Sequence, residues 1–172
     1  MVITLTGFMG VGKSTIAERL SAHLFCKHID LDKYIETLHN LSVEEIFTTH
    51  GEAYFRKMEE QALARLLEEN KEKILVLSLG GGALISQKNR VLIKEKTTCI
   101  YLKAGVETLC QRLLKSRKAR PLVVQESEND LRSKIHNLKE AREPGYVESA
   151  SHIVLVDDLS IKEILIIILK LI

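Results

Sequence analysis

Apolar residues fall along this chain in two alternating patterns: short continuous runs, and longer stretches where they return every three or four positions. The runs at 2–6, 74–79, 98–102 and 152–156 have the length and aliphatic character of buried strands. The shorter, more polar 27–30 reads as a fifth. Between them the helical period dominates. Positions 13–25 put Ile16, Ala17, Leu20 and Leu24 on one face. Ser42 and Glu45 make the capping-box pattern for a helix over 43–49, and Gly51 ends it. Residues 52–69 carry Phe55, Met58, Ala62, Leu66 and Leu67 on or near one face. Further helices are expected at 88–94 behind a Ser86 cap, at 106–114, at 131–143 and at 160–171. The polar, basic stretch 115–129 contains Pro121 and reads as a mobile loop. Strands alternating with helices predict an α/β fold, a five-stranded parallel sheet with helices on both faces. Ligands of such sheets bind beyond the carboxyl ends of the strands. That directs attention to the residues following Thr6, Ile29, Leu79 and Leu102.

A chain of 172 residues, 45% of them hydrophobic, suits one domain spanning 1–172. The net charge of +2 argues against nucleic acid as the main partner. Cys26, Cys99 and Cys110 are odd in number, lack C-x-x-C spacing and lie in or beside apolar runs. They read as buried free thiols rather than metal ligands or disulfides, which favours a reducing compartment. No leader peptide is expected, because the chain enters a strand at once. Residues 164–169 are wholly apolar but fall well short of the roughly 20 needed to span a bilayer. A buried last helix is the favoured reading there, with a self-association surface as the alternative.

Chemistry enters at Gly7-Phe8-Met9-Gly10-Val11-Gly12-Lys13-Ser14-Thr15, which matches the phosphate-binding loop G-x-x-x-x-G-K-[ST]. It stands between an expected strand and an expected helix, the order such a loop requires. Backbone amides at a helix N-terminus form a nest for anions. Lys13 would reach the β- and γ-phosphates, Ser14 would ligate Mg²⁺, and Thr15 adds a second hydroxyl.

Other constellations are less decisive alone. Asp30 and Asp32 follow the second strand. In an extended segment their carboxylates project to one side, fit for a cation and a substrate hydroxyl; a plain helix cap is the competing reading. Gly80-Gly81-Gly82 closes a strand, as a tight turn or as a close approach to a ligand. Arg56 and Arg142 are ordinary surface arginines unless a substrate acid claims them. Arg120, with Lys115, Arg117 and Lys118, lies in the basic stretch, where a lid over triphosphate is more economical than a nucleic-acid site. The six histidines show no ligand spacing, and none is assigned to catalysis.

Taken together these residues resemble the shikimate kinase family, of the nucleoside-monophosphate-kinase-like phosphate-loop group. The resemblance runs from Val2 to about Ile168. It is carried by the loop at 7–15, Asp30-Leu31-Asp32, Phe55-Arg56, Gly80-Gly81-Gly82, Arg120-Pro121-Leu122, and Arg142 followed by Tyr146. It implies ATP-dependent phosphorylation of the 3-hydroxyl of shikimate, in the chorismate pathway of aromatic amino-acid biosynthesis, by a cytoplasmic monomer using Mg²⁺. Gly10, Val11, Gly12, Lys13, Ser14, Thr15 and Arg120 would hold ATP, and Ser14 and Asp30 the metal. Asp32, Arg56, Gly80, Gly81, Gly82 and Arg142 would hold shikimate, with Lys13, Asp32 and Arg120 catalytic. The resemblance further implies a lid at about 115–129 and substrate-binding helices within about 31–70. Two features depart from the family. The arginine that often stacks on adenine, seven residues before the lid Arg-Pro, is here Leu113, with Arg112 one residue earlier. The lid continues Leu122-Val123-Val124-Gln125 without an obvious second arginine. Two rivals stay open: a kinase of another small hydroxy acid such as gluconate, which the same arginines would serve, and a non-catalytic nucleotide switch, which would not need them.

Overall fold

A computed structural model describes residues 1–118 and 127–172. β1 (Val2–Thr6) is buried along its whole length and takes the centre of a five-stranded sheet. The order is β2 (Lys27–Asp30), β3 (Leu75–Ser78), β1, β4 (Thr98–Lys103), β5 (His152–Leu155), and every pair is parallel. The central strands are almost wholly buried, while the edge strands, polar β2 and apolar β5, are the more exposed.

The helices are α1 (Lys13–His23), α2 (Leu31–His39), α3 (Val43–His50), α4 (Glu52–Glu69), α5 (Gln87–Lys96), α6 (Val106–Lys118), α7 (Glu128–Ser149) and α8 (Ile161–Leu171). One core joins Ile35, Ile46, Phe55, Leu63, Leu66 and Ile93 to Leu77 and Tyr101 of the sheet. The opposite core joins Ile16, Leu20, Leu109, Ile164 and Ile168 to Ile3, Leu5 and Ile100. α7 feeds both, through Ile135 on one side and Tyr146 on the other. The last helix packs inward through Ile164 and Ile168, while Ile166 faces out. No helix among the described residues is long and apolar enough to cross a membrane. The three cysteines are free; Cys99 and Cys110 are buried, whereas Cys26 is only half-buried.

Four local expectations change. α1 stops at His23, because Phe25 takes a left-handed conformation and Cys26 N–H closes back on Ser21 O at 3.0 Å. The Asp30-Leu31-Asp32 segment is not extended. Asp30 ends β2 and caps α2, accepting from Lys33 N–H at 3.3 Å, so Asp32 lies in the first helical turn. The expected loop at 115–129 is helical at both ends, since α6 runs through Lys118 and a Ser127 cap starts α7 at Glu128; 119–126, with Arg120, fall outside the described residues. Finally, α7 continues through Pro144 instead of ending before it. Proline removes the donor that the Glu140 carbonyl would have used, but Glu140 and Pro144 are exposed, so water can replace it.

Candidate active site

At the carboxyl end of β1 the chain must turn sharply into α1. Gly7 has φ +140°, and a Cβ there would lie 2.5 Å from the backbone oxygen of Leu102, so only glycine fits. Gly12, at φ +104°, precedes α1 without a capping side chain. Lys13 folds back over the loop and donates to Gly7 O at 2.8 Å and Phe8 O at 3.0 Å. Burial lowers its ammonium to about 8, against the pull of Asp32 and Asp30 and with the push of Arg142. A partly desolvated cation facing an open amide nest is a receptor for phosphate oxygens.

Ser14, one residue further, donates to Asp30 Oδ2 at 3.2 Å. These hard oxygen donors beside a phosphate nest fit Mg²⁺, which prefers few protein ligands and fills its shell with phosphate oxygens and water.

Across the loop lies a second set of groups. Asp32 sits against the glycine run, where a Cβ on Gly80 would come within 2.5 Å of its Oδ1. Burial raises the Asp32 carboxyl above the usual range; Asp30 adds to this, and Lys13 and Arg56 oppose it. Gly82 makes the same allowance for Arg56, whose guanidinium would be 2.5 Å from a Cβ. The run is therefore glycine for close approach and not for an unusual backbone: none of the three has a left-handed φ. Arg142 lies over the Phe8 ring at 5.9 Å and donates to Gly81 O at 3.4 Å. Gly81 is the meeting point, since a Cβ there would be 3.4 Å from Met9 N of the loop and 3.7 Å from Arg142. Thus Lys13, Ser14, Asp30, Asp32, Arg56, Gly80 to Gly82 and Arg142 converge at one end of the sheet.

A family model described as shikimate kinase matches residues 9–172. The chain belongs to the shikimate kinase family. A shikimate kinase of Chlorobium phaeobacteroides is 45% identical over 150 residues, which are 84% of this chain and 77% of that one. The crystal structure of shikimate kinase from Bacteroides thetaiotaomicron superposes with a TM-score of 0.90 at 31% identity, covering 99% of this chain and 97% of that one. Shikimate kinase from Acinetobacter baumannii in complex with shikimate gives 0.85 at 32% identity, covering 99% and 91%.

In this shikimate kinase family member Arg56 is held by two acids that sequence reading passed over. Glu59 is buried, with a side chain 1% exposed, and accepts from Arg56 Nη1 at 2.9 Å. Glu52 takes the Nε and Nη2 edge at 3.2 and 3.1 Å. Burial raises the Glu59 carboxyl to about 7, more than Arg56 lowers it. The only sequence signal was its place one turn after Arg56. Tyr146 anchors the other arginine's helix by donating its O–H to Gly81 O. Arg112 donates to Val11 O at 2.9 Å and Val156 O at 3.3 Å. It lines a cavity of about 260 Å³ with Gly10, Gly12, Thr15, Leu159 and Ile161. Leu113, at the position where the family often has arginine, instead packs on Gly10.

The raised Glu59 carboxyl has a thermodynamic consequence. The folded state keeps this proton up to about 7, while the unfolded chain releases it near 4.5. Stability from this group is therefore complete below about 4.5 and lost as pH rises through about 7, by roughly 3 kcal/mol. Melting wild type and Glu59→Gln at pH 5 and pH 8 checks this: the wild-type advantage is expected to shrink at pH 8. A constant difference would refute it.

Proposed function

We propose that this protein transfers the γ-phosphoryl group of ATP to the 3-hydroxyl of shikimate. The observation that carries the reading is the convergence at Gly81, where the phosphate loop meets Arg142 across a single glycine. A donor site and an acid-binding site are then within reach of each other, as phosphoryl transfer by positioning requires.

Arg56 and Arg142 would pair with the shikimate carboxylate, a planar group suited to guanidinium forks. The backbone of Gly80 to Gly82 would border the ring. Asp32 would accept the hydrogen bond of the reacting hydroxyl, and its raised carboxyl makes it the more basic for that task. The hydroxyl oxygen forms the new bond to the γ-phosphorus, the bond to the ADP oxygen breaks, and the hydroxyl proton passes towards Asp32 and solvent. Lys13, with the amides of Gly10 to Thr15, would hold the phosphates, and Arg112 borders the cavity beside that loop. Ser14 and Asp30 would hold Mg²⁺, whose chemistry is to neutralise phosphate charge. Arg120, outside the described residues, would add charge over the phosphates. The three free thiols fit a reducing cytoplasm.

The test is ADP release with shikimate and with a panel of other hydroxy acids including gluconate. Release dependent on shikimate is expected. Release on gluconate alone would transfer the reading to that acid, and no release with any acid would favour a nucleotide switch.

A further inference from the structure

The parallel register of β2 and β3 pairs Asp30 with Ser78 and His28 with Val76, so His28, Asp30 and Ser78 share one face of the sheet. α1 covers that face, bringing Ser14 over Asp30. Between the two β2 side chains sits Ser78, 1% exposed, with its hydroxyl donating to Asp30 Oδ2 at 3.1 Å. His28 Nε2 lies 3.1 Å from the same Ser78 oxygen. A hydroxyl has one hydrogen, and Ser78's is committed to Asp30. The histidine nitrogen must then be the donor, which fixes its tautomer and the direction of the chain: His28 to Ser78 to Asp30.

This chain has a purpose at a cation site. Asp30 Oδ1 is held by Lys33 N–H, and Oδ2 by Ser14 and Ser78. A cation that binds Ser14 Oγ redirects that hydroxyl, leaving Ser78 as the side chain that keeps Oδ2 in place. We infer that His28 is a positioning residue for the metal site: it orients Ser78, and through Ser78 the carboxylate of Asp30 that meets the Mg²⁺–nucleotide complex. The inference rests on the reading of Ser14 and Asp30 as the Mg²⁺ holders.

The experiment is a Mn²⁺ titration of the protein–ADP complex, followed by the electron paramagnetic resonance signal of free Mn²⁺. The variants are His28→Leu, His28→Gln, Ser78→Ala and, as control, Ser14→Ala. His28→Leu is expected to weaken Mn²⁺ by about threefold to tenfold, at or below the low end for hydrogen-bonded partners of metal ligands. Ser78→Ala, which removes little volume, is expected to match it even if His28→Leu folds poorly. His28→Gln, which keeps a donor, is expected to recover most of the loss. In the His28 and Ser78 variants ADP affinity without metal is expected to stay unchanged, and in turnover the Mg²⁺ dependence shifts while the shikimate KM does not. Loss in Ser14→Ala with none in His28→Leu or Ser78→Ala would overturn the role of His28 and leave the metal site standing. No loss in Ser14→Ala would overturn the metal site, and the role of His28 with it.

Discussion

Lys13→Ala is expected to fold and to lose phosphoryl transfer. In the structure this ammonium is desolvated, held by two loop carbonyls and close enough to Asp30, Asp32 and Arg142 to feel each of them. Removing a buried charge whose burial is already costly leaves little to destabilise the fold. Its absence from the phosphate nest is different, because on the proposed reading the donor serves the phosphates where charge grows during transfer. Loss of one such preorganised donor costs on the order of 10² to 10³ in rate. The measurement is ADP release at saturating ATP and shikimate, beside a thermal melt. A folded variant that keeps wild-type turnover would remove Lys13 from the site.

Arg56→Ala is expected to raise the shikimate KM by a large factor and leave the ATP KM near its wild-type value. Truncating one member of a buried, hydrogen-bonded charge pair costs about 2–5 kcal/mol, or some 30-fold and upward. The effect divides into two parts that can be separated. One is the loss of the proposed partner of the substrate carboxylate. The other is Glu59, left in the core without its cation. A stranded buried carboxylate costs roughly 3–5 kcal/mol when ionised, and less where it can take a proton. Without Arg56, whose charge and hydrogen bond lower the Glu59 carboxyl, the acid holds its proton more firmly still. The double variant Arg56→Ala/Glu59→Gln is therefore expected to regain stability at pH 8 without regaining shikimate affinity. Equal changes in both KM values would put Arg56 elsewhere in the mechanism.

The phosphate loop was legible because its chemistry is local: glycine spacing, a lysine and a hydroxyl fix one turn whatever surrounds them. The α/β class, a five-stranded parallel sheet flanked by helices, was legible from the alternation of apolar runs and helical periods, whereas the strand order β2-β3-β1-β4-β5 depends on packing. Other features depend on packing that no short window contains. At Asp30 the sequence left an extended pair and a helix cap both open; its carboxylate caps α2, which places Asp32 in the helix and against Gly80. Glu59 looks like one more acid on a charged helix. Only the rotation of α4, set by Phe55, Met58 and Leu63, turns it inward beneath Arg56. Arg112 and Leu113 differ by one position, yet on a helix that is a rotation of about 100°, enough to exchange which one faces the cavity and which one packs on Gly10. The continuation of α7 through Pro144 broke a local rule because solvent could satisfy the carbonyl that proline leaves free.

On the proposed reading the two halves of the site act on one another, passing a phosphoryl group from ATP to a specific hydroxyl. Phosphorus NMR of the product formed from ATP and shikimate tests this directly. A phosphate monoester whose signal couples to the ring proton at carbon 3 is expected, appearing in step with ADP. Orthophosphate and ADP without a shikimate ester, or an ester at another hydroxyl, would contradict it.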